Sequence, residues 1–180
     1  MKKEFKSIVE SRDIDQLLTL NVEELSKEEY QFLKDVDPSE YVKMVTINQF
    51  QYKTLKDMVK FGIEWYIKNR PSADHSDKED FDHCKKILSD ISLKLHFVKE
   101  ASEDNNMILG LTKQEVFQLR CVCETMVTSI SGKIEKSSRL NAYMYTVFKD
   151  MVLDIKNTLE IVYEELDRKE TEIFVSMYNI

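Results

Sequence analysis

The stretch from Thr46 to Arg70, TINQFQYKTLKDMVKFGIEWYIKNR, limits what this chain can fold into more than any other. At about 100° per residue, Leu55, Met58, Val59, Gly62, Ile63, Tyr66 and Ile67 share one stripe, and Phe50, Phe61 and Trp65 widen it into a second. Only Lys53, Lys56, Asp57, Lys60, Glu64 and Lys68 are left for water. A helix apolar on that much of its circumference must be covered from two sides, as the centre of a domain or as half of an oligomer interface. Thr46 and Gln49 have capping-box spacing and Pro71 ends the pattern, which predicts a helix over 47–69.

Three further helices follow on the same logic. Ser76 with Glu79 opens one over 77–100, with Phe81, Cys84, Ile87, Leu88, Ile91, Leu95 and Val98 on its apolar face. A polar run at 101–106 reads as a loop. Thr112 with Glu115 opens a helix over 113–131, where Val116, Leu119, Cys123, Met126, Ile130 and, just beyond, Ile134 face inward and Ser131-Gly132 marks a break or bend. The last runs over 138–169, with Leu140, Met144, Val147, Met151, Ile155, Val162 and Leu166 as its inward stripe. The tail from Glu172 to Ile180 fits helix and strand periods about equally badly. In residues 1–45 short helices are expected at 2–10, 13–18, 28–36 and 38–44, the last opened by Asp37-Pro38.

With only three glycines and two prolines among 180 residues, the chain lacks the turn residues that a many-stranded sheet needs. The expected class is therefore all-α: an antiparallel four-helix bundle over 46–180, with a layer of short N-terminal helices over 1–45 packed on it as one compact domain. No apolar run approaches a membrane span and no leader pattern opens the sequence. Cys84, Cys121 and Cys123 suit free thiols in a reducing, cytoplasmic setting.

Net charge is −7, and its distribution matters more than its total. Residues 46–70 hold five basic and two acidic side chains, while every other segment is acidic. That opposes general nucleic-acid binding, which needs a basic face, and favours a protein partner with a basic surface. Acidic Glu160, Glu164, Glu165 and Asp167, beside apolar Ile173, Phe174, Met177 and Tyr178, form the candidate partner-binding surface: charge to steer and an apolar anchor to hold. The chain is expected to be a monomer or a homodimer.

Residues that could carry chemistry are few. Glu79 and Asp80 share a helix face with His83, yet a dimetal bundle needs a second Glu-x-x-His pair, and the chain has only three histidines. The side chains of Cys121 and Cys123 diverge by about 200° on a helix, so no metal pair forms there. No phosphate loop or nucleophile elbow occurs, and no cofactor or metal is expected.

Arg70-Pro-Ser-Ala-Asp-His75 resembles the Arg-x4-His signature of HEPN ribonucleases, which are helical-bundle dimers. The resemblance implies that Arg70 stabilises phosphate charge and that His75 acts in acid–base cleavage of RNA without metal. Asp74, Asp77 and Asp80 oppose RNA electrostatically, which makes this the alternative reading. The leading one is a non-enzymatic inhibitor, immunity or accessory protein of a bacterium or phage. A structural or assembly-chaperone subunit is the third.

Overall fold

The computed structural model describes residues 41–72, 75–98, 100–101 and 106–178. The predicted N-terminal helices at 2–10, 13–18 and 28–36 lie outside these residues. In order come β1 (Val42–Ile47), α1 (Gln49–Asn69), a 3-10 turn (Arg70–Ser72), α2 (His75–Phe97), β2 (Glu100–Ala101), β3 (Asn106–Thr112), α3 (Lys113–Ile134) and α4 (Arg139–Tyr178). Val42–Glu164 form one compact unit, and the end of α4 from Glu165 belongs to a second.

Four helices dominate, but the chain is not all-helical. The three strands form an antiparallel sheet in the order β1-β3-β2. β1 runs against β3 from Val42↔Thr112 to Ile47↔Met107, and β2 meets β3 at Glu100↔Met107. Residues 42–44, predicted to finish a helix from Pro38, are therefore strand. Positions 101 and 106, predicted as loop ends, are strand as well. The physical reason is the pleat. Val45 and Ile47 of β1 and Met107, Leu109 and Leu111 of β3 turn inward and are buried, while Val42, Met44 and Ile108 turn outward. Because both faces carry apolar side chains, the two-residue alternation that marks a strand is invisible in the sequence. Gly110 lies opposite Met44, and a Cβ there would come within 2.8 Å of Val42 Cγ1, so the outer side chains of β1 close over a glycine.

Because β1 extends through Ile47, α1 starts later than Thr46 and Gln49 suggest. Asn48 is its N-cap: Oδ1 accepts from the N–H groups of Phe50 and Gln51 at 2.9 Å, and Gln51 Oε1 accepts from the Asn48 N–H at 3.0 Å. The Thr112–Glu115 box forms as predicted and gains a third member. Lys94 Nζ on α2 donates to Glu115 Oε2 at 2.7 Å and to the Gly110 carbonyl at 3.1 Å. One knot thus ties α2, the end of β3 and the start of α3.

Leu55, Met58, Val59 and Gly62 are the buried face of α1. Gly62 sits where three helices meet, since a Cβ there would come within 2.7 Å of Val122 on α3 and 2.8 Å of Leu88 on α2. Its missing side chain is what allows the approach. α3 continues through Ser131-Gly132 to Ile134 without the predicted break. α4 lies antiparallel to α3, as successive contacts show: Arg120–Glu160 at 2.6 Å, Glu124–Lys156 at 3.1 Å, and Lys133 5.9 Å from the Tyr145 ring centre.

The predicted stripe of α4 is buried at Ile155, Val162 and Leu166 but not in the first turns of the helix. Val152, Ile155, Leu159, Val162 and Leu166 are buried, spaced alternately by three and four residues, whereas Leu140, Met144 and Val147 are exposed. The helix also runs past 169 to Tyr178, taking in most of the apolar tail.

Candidate functional site

The first three turns of α4 carry the densest group of apolar side chains facing water. Leu140 is 71% exposed, Tyr143 69%, Met144 63% and Val147 44%, and they recur at the three- and four-residue spacing of one helix face. Beside them Phe50, in the first turn of α1, is 71% exposed. Between Phe50 and α4 runs an open groove of about 350 Å³, lined by Asn48, Phe50, Gln51 and Thr54 on one side and Val147, Asp150, Met151 and Asp154 on the other. Gln51 Nε2 lies 3.4 Å from Asp154 Oδ2 at its edge. The groove therefore mixes three apolar side chains, Phe50, Val147 and Met151, with polar ones and two carboxylates.

Physics brings this face to the surface. α4 contacts α3 through Glu160, Lys156 and Tyr145, and its buried side chains Val152, Ile155 and Leu159 share one neighbouring arc. Leu140, Met144 and Val147 lie roughly 90° round the helix from that arc. An exposed stripe of this kind is costly to keep in water, and protein interaction sites are the usual reason for one.

A second, wider groove of about 670 Å³ separates α1 from α3, lined by Phe61, Glu64, Trp65, Lys68, Glu124, Thr125, Thr128 and Ser129. Its aromatic wall is already committed: Trp65 packs on Phe81 at 5.7 Å and edge-on to Tyr66 at 5.2 Å. The hydroxyls of Thr125 and Thr128 donate to backbone carbonyls one turn back. Behind it, Gln118 Nε2 donates to the Tyr66 hydroxyl at 2.7 Å, and burial pushes that phenol up to about 12.

The residues singled out from the sequence scatter. Arg70 is held by Asp82 through two bonds, Nε to Oδ1 at 2.8 Å and an Nη to Oδ2 at 2.6 Å. The guanidinium fork that phosphate would use is thus filled by a carboxylate, and hydrogen bonding to Arg70 holds Asp82 below the usual carboxylate range. His75 opens α2, and its side chain lies outside the described residues. His83 is exposed, with Nε2 2.8 Å from the Gln114 amide nitrogen. Among the described residues no three His, Cys, Asp or Glu side chains converge on a metal-sized site.

Glu160 is committed to Arg120, whose guanidinium also lies 4.5 Å from the Tyr163 ring centre, with Lys113 5.5 Å from the same ring. Glu164 and Asp167 are exposed and Glu165 is half-buried. Ile173 is fully buried, Phe174 is 54% exposed, and the side chains of Met177 and Tyr178 lie outside the described residues. The acids and the tail thus differ in environment from residue to residue, unlike the uniform face at Leu140–Val147. No helix among the described residues is long and apolar enough to cross a membrane. The chain matches no known protein family, no curated protein and no solved structure.

Proposed function

We propose that this chain works by binding protein rather than by catalysis, and that the face of α4 formed by Leu140, Tyr143, Met144 and Val147, with Phe50 beside it, is where it binds. The observation that carries this reading is the contiguous exposure of those side chains on a helix whose neighbouring arc is buried at Val152, Ile155 and Leu159. The exposed acidic side chain of Glu164, further along the same helix, supplies long-range attraction for a basic protein surface. An inhibitor, immunity or accessory protein of a bacterium or phage, acting in the cytoplasm, would use a surface of this kind. An assembly-chaperone subunit would too. The antiparallel bundle expected from the sequence is consistent with the α3–α4 pairing, with the sheet added at one end. The ribonuclease alternative is disfavoured by the Asp82 carboxylate in the fork of Arg70.

The test is site-specific photo-crosslinking in cells that express the whole chain. A photoreactive residue in place of Met144 is expected to give discrete protein adducts. The same residue in place of Leu93, an exposed side chain on α2, is expected to give none. No adduct at Met144, or equal labelling at both positions, would remove the basis for this reading.

A further inference from the structure

The apolar face of α4 carries charges arranged to fit a copy of itself. Arg139 stands at its start, with Lys136 just before, and Asp150 and Asp154 stand at its far end; all four are exposed. Among the described residues Lys136, Arg139 and Asp150 form no ion pair. At about 100° per residue Arg139, Asp150 and Asp154 all fall on the same flank of the Leu140–Met144–Val147 stripe. That shared flank decides the geometry. Two helices paired antiparallel bring like flanks together, whereas a parallel pair would set this flank against the opposite one and leave the charges unmatched.

We propose that a second copy of this chain docks on this face in antiparallel, two-fold symmetric fashion, with Leu140 of each copy entering the groove between Phe50 and α4 of the other. This rests on the reading of α4 as an interaction face and puts a second copy there, held by local charge pairs, in place of a partner with a basic surface. With the two-fold axis between positions 145 and 146, Leu140 lies opposite Met151 and Met144 opposite Val147, and each pairing occurs twice. The same register carries Arg139 to Asp150 and Asp154 of the other copy. Phe50, Val147 and Met151 in the groove offer apolar contact to an exposed leucine, and the Asp150 and Asp154 carboxylates offer the opposite charge to the arginine before it. The stripe from Leu140 to Met151 is about 16 Å long, so the contact is small and the dimer is weak and concentration-dependent.

Charge reversal tests this directly, because every side chain involved is exposed and its substitution leaves the packed arc of α4 untouched. The full chain is expected to show concentration-dependent association in sedimentation velocity. Arg139→Asp alone, or Asp150→Lys with Asp154→Lys, should weaken association by more than about tenfold while the helical circular dichroism and melting temperature stay the same. An equimolar mixture of these two variants should associate again, since each then offers the other an opposite charge at both ends. A native chain that stays monomeric, a reversal that leaves association intact, or a mixture that fails to recover would each overturn the proposal. Crosslinks from position 144 separate this from the reading beneath it. Adducts at twice the chain mass support a second copy. Adducts only to a different protein, with a monomeric native chain, end the self-association proposal and leave the interaction face standing; no adducts at all end both.

Discussion

The two halves of α4 are built from the same residue types at the same spacing, and they live in opposite surroundings. Val152, Ile155, Leu159 and Val162 are buried within the unit formed by Val42–Glu164, while Leu140, Tyr143, Met144 and Val147 face water. What separates them is a shift of about one residue in phase. Leu140, Met144 and Val147 run on into Met151, whereas the packed arc continues through Val152. A helical period therefore reports that a face is apolar without reporting which partner covers it.

The sharpest way to break this contrast is truncation in each half. Leu159→Ala should cost about 2–5 kcal/mol in urea unfolding, and Met144→Ala should stay within about 0.5 kcal/mol at protein concentrations where the chain is monomeric. Equal losses would mean that the first turns of α4 are core after all. A second measurement sharpens the contrast from the α3 side. Cys123, buried near Lys156 and Glu160, has its thiol pushed up to about 12 by burial, so at pH 8 it stays protonated. Alkylation of Cys123 should be far slower in the folded chain than in denaturant, at a rate that follows opening of the packed half of α4. Rapid native labelling would show that this half opens as readily as the exposed one.

Tight packing elsewhere in the same unit predicts smaller losses. Gly62→Val drives a branched side chain toward Val122 and Leu88 and should destabilise by about 1–3 kcal/mol, read as a lower urea midpoint. Thr112→Ala removes the oxygen that accepts from the Glu115 N–H and should cost about 1 kcal/mol. The smallest effect is expected at Asp82. Its folded pKa lies below its unfolded one, so the Arg70 pair stabilises the chain above the ordinary carboxylate range, and that increment is lost as pH falls through the folded value. Asp82→Asn should lower the melting temperature slightly at neutral pH and not at all in strong acid. Because the pair is exposed, added salt should shrink the difference further.

These expectations mark where the sequence was legible. The bodies of α1, α2 and α3 could be read because local signals agree there: period, caps and the stop at Pro71. The Thr112–Glu115 box even has the predicted geometry. β1 was hidden because VKMVTI and its partner NMILGLT are apolar on both faces and pair across the chain, so no two-residue period distinguishes them from helix ends or loop. Gly110 inside an apolar run was the one available hint of a strand. The exposed face of α4 was hidden for the complementary reason. Leu140, Met144 and Val147 continue the apolar period of the inward stripe, and only their exposure in the folded chain separates them from it. The Asp82 carboxylate that fills the fork of Arg70 comes from twelve positions along the chain, beyond the reach of a six-residue motif.

The pairing of β1 with β3 also bears on the order in which the molecule comes together. Val42 and Thr112 are 70 residues apart, so the sheet closes a long loop, whereas α1 and α2 meet through a tight turn, with the Tyr52 hydroxyl reaching the Leu95 carbonyl and Arg70 reaching Asp82. Loop entropy makes the helical hairpin the cheaper nucleus and the sheet a late arrival. Val45→Ala on β1 should therefore speed unfolding while leaving the refolding rate nearly unchanged, and Leu88→Ala on α2 should slow refolding. A refolding rate that falls with Val45→Ala would place the strand pairing in the nucleus instead. If the sheet does come last, a chain emerging from the ribosome could complete its first helical contacts well before Thr112 is made, and its fold would be sealed only when β3 arrives to join a strand synthesised long before.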